Sequence, residues 1–147
     1  MKVFAKNKKA FFDYEILEKF ETGIQLTGTE VKSIKGSHIS IKEAFVKIIG
    51  NEVYLVNSHI AEYLQGNRNN HEPTRSRKLL MHRKQIDRLI GKIKEAGLTL
   101  VPLLVYQKDR LIKIEIGLAK GKKSHDKRQS IKERDIKREH AREFKIK

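Results

Sequence analysis

The side chains able to bind a metal or move a proton are six histidines and a set of carboxylates. The histidines are His38, His59, His71, His82, His125 and His140; the carboxylates that could converge are those of Asp13, Glu15, Glu30, Glu43 and Glu52. Their spacing does not organise them. No histidine pair has the HExxH interval, and there is no cysteine to complete a zinc set. A Walker loop, a GxSxG elbow and a dinucleotide fingerprint are all missing from the sequence. The expectation is therefore recognition rather than bond-making, with no metal and no cofactor. An RNA-processing enzyme using Glu30 with nearby carboxylates is the enzymatic alternative, and it would need a divalent ion.

Recognition chemistry is concentrated in three places. The first is LTGTEVKSIKG, residues 26–36, where Glu30 sits among Lys32 and Lys35. Thr27 and Glu30 have capping-box spacing, so Glu30 can serve as the partner of an N-cap. As a carboxylate in a basic protein it can also accept hydrogen bonds from base N–H groups or fix a neighbouring cation. Lys32 and Lys35 are placed to meet phosphates. The second is LQGNRNNHEPTRSRK, residues 64–78, where Arg68, His71, Arg75, Arg77 and Lys78 alternate with asparagines. Such a set can grip a folded RNA by its phosphates and splayed bases. It can equally be a solvated connection. The third is the terminus from Lys120 to Lys147, with twelve Lys or Arg against five Asp or Glu, +7 of the chain's +15.

Those residues need elements to hold them, and the hydrophobic pattern supplies a small, mostly β domain. Residues 10–20 and 23–28 read as two strands turning near Glu21, Thr22 or Gly23, with Phe12, Tyr14 and Ile16 on one face. A short helix follows from the Thr27 cap to a stop at Gly36. Ala44, Val46 and Ile48, then Gly50-Asn51, then Val53–Val56 predict a hairpin. Ile86, Leu89, Ile90 and Ile93 recur at helical spacing, giving a basic amphipathic helix from about His82 to Glu95 that Gly97 ends. Residues 98–106 and 111–118 are the last two strands, with Pro102 marking an edge or a bulge. Six strands and two helices suit an OB-type barrel over residues 1–119, which would remove exposed sheet edges. Residues 120–147 are set apart as a basic tail. Its apolar residues make no clean stripe. It is either disordered or a helix that folds when an RNA surface neutralises its charge.

With 147 residues and 38% of them apolar, the chain suits one domain with a modest core. It contains no apolar run long enough for a membrane span, and its first residues lack a signal-peptide pattern. The absence of cysteine permits a reducing compartment. A net charge of +15 attracts polyanions, with nucleic acid the first candidate.

In order along the chain, LTGTEVKSIKG, GNRNNHEPTRSRKLLMH, GLTLVPLLVY and LAKGKKSHDKR resemble the small protein B family, the bacterial SsrA-binding proteins. The resemblance implies an OB-fold barrel that binds the tRNA-like domain of transfer-messenger RNA. It implies cytoplasmic delivery with elongation factor Tu to the vacant A site of a stalled ribosome. The tail would then probe the small-subunit decoding region and the empty messenger channel as a helix. By the same resemblance Glu30 belongs to the RNA-binding region, and Arg75 and Lys78 become phosphate contacts. Asp126, Lys127 and Arg128 match the family's DKR motif; Lys127 and Arg128 would meet ribosomal RNA, with Asp126 positioning them. Lys122, Lys123, Lys132, Arg134, Lys137, Arg138 and His140 complete the ribosome-facing set. The alternative is a general OB-type ribosomal or single-stranded RNA-binding protein.

Overall fold

The computed structural model describes residues 2–65, 70–94 and 97–122. In chain order the elements are β1 (Lys2–Lys6), α1 (Lys8–Asp13), β2 (Tyr14–Ile24), α2 (Gly28–Lys35), β3 (Ile39–Ser40), β4 (Phe45–Ile49), β5 (Glu52–Val56), β6 (His59–Ile60), β7 (Arg77–Leu80), α3 (Arg83–Ile93), β8 (Leu98–Lys108) and β9 (Leu111–Gly121). Seven strands form one sheet in the order β1-β8-β9-β2-β7-β5-β4, and β3 pairs with β6 in a second.

This corrects the expected mostly β, OB-type barrel. The fold is mixed α/β, and no sheet among the described residues closes. Strands β1 and β4 are the two edges of the large sheet. Strand β1 is laddered to β8 alone, and the Asn7 side chain adds ties beyond that ladder. The buried Asn7 amide donates from Nδ2 to the Pro102 carbonyl at 2.9 Å and to the Ile41 carbonyl at 3.4 Å. Alternation along a strand shows which side chains face inward, but it does not name the strand's neighbours. An open curled sheet and a closed barrel therefore read alike in sequence.

Three further departures occur along the chain. Residues 8–13 are helical rather than extended, because Asn7 Oδ1 accepts from the Ala10 N–H at 3.1 Å and caps a turn. Glu21, Thr22 and Gly23 are mid-strand, not a turn. Strand β2 pairs with β9 from Tyr14 to Gly23, with a bulge between Ile16 and Glu18 that resets which side chains face inward. Thr22 is buried and its hydroxyl donates to the Ile114 carbonyl. At Gly23 an added Cβ would stand 3.2 Å from Leu80 Cβ, so the glycine admits the neighbouring strand β7. Strands β1, β3, β6 and β7 were also not foreseen.

Other expectations hold. Helix α2 has its full capping box, with Thr27 at N-cap and Glu30 at N3. The β4–β5 hairpin turns on Gly50 and Asn51, both at positive φ, which matches the twist of the paired strands. Pro102 lies at a register shift in β8 and not on an edge. Helix α3 buries Ile86 and Leu89. The main core joins Phe20, Ile34, Val53, Leu55, Leu79, Leu89, Ile114 and Ile116 across the sheet and two helices. A smaller cluster of Ala10, Val101, Leu103 and Ala119 lies under α1. The end of β9 is fastened there, since the Lys122 N–H donates to the Asp13 carbonyl.

Candidate nucleic-acid interface

The site grows from one buried carboxylate. Glu30 has no solvent exposure, although it lies in the first turn of a short helix. Its Oε1 accepts the Thr27 backbone N–H at 2.8 Å and the Arg75 Nη2 at 2.5 Å. Oε2 accepts Arg77 Nε at 2.5 Å. Burial alone would raise the carboxyl's pKa, but the bonds from Arg75, the Thr27 N–H and Arg77 outweigh it and hold the pKa at about 2. The group is ionised throughout the physiological range.

Arg77, on β7, is equally hidden. Its Nη1 donates to the Ser58 carbonyl and hydroxyl, and Nη2 to the Glu72 and Pro73 carbonyls. Burial pushes its pKa down and the Glu30 carboxylate opposes that. The guanidinium thus ties α2, the β5–β6 turn and the loop before β7 to one point. Removing Glu30 would leave the Arg77 charge buried without a carboxylate, whereas removing Arg77 would leave Glu30 with Arg75 alone as its cation.

His71 adds a second tie. It is buried, with Nε2 2.8 Å from the Ile60 carbonyl and Nδ1 2.9 Å from the Thr29 hydroxyl. A carbonyl can only accept, so Nε2 donates to Ile60, while Nδ1 and the Thr29 hydroxyl share the second bond. Asn70 then clasps Tyr63 by its backbone, accepting the Tyr63 N–H at 3.0 Å and donating to its carbonyl at 2.6 Å.

Above this buried framework stand cations. Arg75 keeps 37% of its side chain exposed while holding Glu30, so one carboxylate shared by two guanidiniums leaves net positive charge facing out. Lys32 and Lys35 are exposed along α2, with Lys32 Nζ 5.4 Å from the centre of the Tyr63 ring. Lys78, also 37% exposed, lies 3.7 Å from Glu52. Bonds therefore join Glu30, Arg75 and Arg77 into one group; Lys32 and Lys35 share the helix of Glu30, while Lys78, next to Arg77 on β7, alternates to the other face of the strand, towards Glu52. Glu30 and Arg77 can position but cannot touch a ligand. Arg68, Lys123, Asp126, Lys127, Arg128, Lys132, Arg134, Lys137, Arg138 and His140 lie outside the described residues; Lys122 sits at the end of β9, half-buried. The parts played by Thr29, Ser58 and Tyr63 left no sign in the sequence, since they depend on contacts between distant segments that carry no periodic signal; Asn70, expected among the loop's amides, instead holds the Tyr63 backbone. Among the described residues no cluster of His, Asp and Glu could hold a metal ion, and no helix is long and apolar enough to cross a membrane.

These features define a class: a basic α/β protein with an internally neutralised carboxylate and a cationic rim suited to a polyanion. A profile of the family described as SmpB protein matches residues 4–146. An SsrA-binding protein of Shouchella clausii is 55% identical over 144 residues, 98% of this chain and 92% of the relative. One from Carboxydothermus hydrogenoformans is 56% identical over 138 residues, 94% of this chain and 93% of the relative. A solved structure described as "tmRNA-SmpB: a journey to the center of the bacterial ribosome" superposes with a TM-score of 0.68 at 45% identity, covering 84% of this chain and 87% of that one. The chain belongs to the SmpB family, whose members are RNA-binding factors and not enzymes.

Proposed function

We propose that the α2–β7 surface grips the tRNA-like domain of transfer-messenger RNA, within a function that family membership gives the chain: RNA-binding ribosome-rescue factor and transfer-messenger RNA partner in trans-translation. The observation that carries the assignment of the surface is the Glu30–Arg75–Arg77 network, which turns an otherwise repulsive carboxylate into a fixture beneath exposed cations. Lys32, Lys35, Arg75 and Lys78 meet phosphates; Glu30 and Arg77 hold the shape that presents them. Arg68, which lies outside the described residues, belongs to the same proposed set by its place in the basic segment of the sequence.

The remaining steps follow the family resemblance. The RNA complex travels with elongation factor Tu in the bacterial cytoplasm and enters a vacant A site. The tail beyond Lys122, carrying Lys123, Asp126, Lys127, Arg128, Lys132, Arg134, Lys137, Arg138 and His140, follows the empty messenger channel, where its cations match phosphate walls. An intact messenger would occupy that space, so the tail reads vacancy.

The division of labour is testable with a chain ended after Lys122, which keeps β9 and its bond to Asp13. It should retain most affinity for free transfer-messenger RNA and fail to tag nascent chains on stalled ribosomes. Loss of RNA affinity with tagging retained would overturn the division.

A further inference from the structure

Beside α2 lies a cavity of about 390 Å³ whose walls include Lys32, Gly36, His38, Tyr63 and Leu64. Its surface is mainly apolar, which is unusual beside so many cations. Tyr63 is held in place from behind by the two backbone bonds to Asn70. Its hydroxyl donates to Gln65 Oε1 at 2.7 Å at the exposed rim. Gly36 lets the His38 ring lie close against the helix end, since an added Cβ would stand 2.9 Å from that ring. Leu64, at the mouth, is 95% exposed, so its apolar surface has no cover among the described residues. A fixed aromatic ring, an uncovered leucine and an ammonium at one edge are what an unstacked nucleotide needs. The base takes the apolar surfaces and the phosphate takes the cation.

We propose that this cavity receives one unstacked nucleobase of the bound RNA, laid against Tyr63, with Lys32 meeting that nucleotide's phosphate. The inference rests on the RNA-binding reading above and deepens it. Charge decides between an RNA and an apolar protein segment as occupant. The net +15 of the chain and the Lys32 ammonium over the Tyr63 ring favour the polyanion, against the one carboxylate of the lining, Glu62.

The chain contains no tryptophan, so a Tyr63→Trp variant carries a single indole reporter that keeps an aromatic surface. Titrated to saturation with the tRNA-like domain of transfer-messenger RNA, full-length Tyr63→Trp should show quenched emission as the base stacks. Tyr63→Ala should bind roughly 5- to 150-fold more weakly, the range for losing one base–aromatic stack. Native affinity in Tyr63→Ala would overturn the proposal, and so would a bound Tyr63→Trp whose emission is unchanged. If the alanine variant does not fold, the indole signal alone decides. A parent protein that does not prefer this RNA to ordinary tRNA takes down the functional reading and the cavity with it. A parent that prefers it, with Tyr63 indifferent, takes down the cavity alone.

Discussion

Glu30 was legible as a helix-capping residue and, through the family motif, as part of an RNA-binding region. Its burial was not. Capping alone predicts a loss of about 1 kcal/mol on removal. The structure adds a fully buried pair with Arg77, and breaking such a pair costs about 3–5 kcal/mol because the remaining charge is stranded. Glu30→Gln is therefore expected to lower stability in urea unfolding by that larger amount; a loss near 1 kcal/mol would mean the pair contributes little. Acid should act in the same direction. The folded pKa of about 2 lies below the ordinary 4.5, so the stabilisation is complete above pH 4.5 and is lost as pH falls from there towards 2. The shift corresponds to about 3 kcal/mol. Unfolding measured across that window should show a steeper slope in the parent than in Glu30→Gln, which keeps only the share of other carboxylates such as Glu21. Arg77, read in sequence as one more cation of a basic loop, became a hub because Ser58, Glu72 and Pro73 converge on it. Nothing in the spacing of those residues announces it.

At the level of elements, local signals read well where one segment decides its own shape. The Thr27–Glu30 box, the Gly50-Asn51 turn and the apolar period of α3 each carry their cause within a few residues. Reading failed where a partner strand decides. Glu21-Thr22-Gly23 resembles a turn, yet eleven-residue β9 holds it straight within β2. Strand β7 lay hidden in a segment rich in breakers, and its four residues pair with both β2 and β5. Asn7 shows how the non-closing sheet is secured: one side chain caps α1 and bonds the Pro102 carbonyl at the β8 bulge. Asn7→Ala should cost about 1–3 kcal/mol through the unsatisfied buried groups it leaves. Thermal unfolding of the variant would check this, and an unchanged midpoint would count against Asn7 as a fastening.

Across the whole molecule, charge and framework do separate jobs. A net charge of +15 draws any polyanion, and that attraction weakens steeply with salt. On the reading proposed above, specificity comes from shape: Arg75 fixed by Glu30, and the cavity beside Tyr63. Composition made the first job legible in sequence. The second depends on residues 27–36, 58–63 and 70–78 meeting in space. The decisive measurement is binding of the full-length protein to the tRNA-like domain of transfer-messenger RNA, against an ordinary tRNA and a single strand, at physiological salt and above. A preference for the tRNA-like domain that survives added salt is expected. Equal binding to all three, lost together as salt rises, would contradict recognition by a preformed surface and leave only the charge.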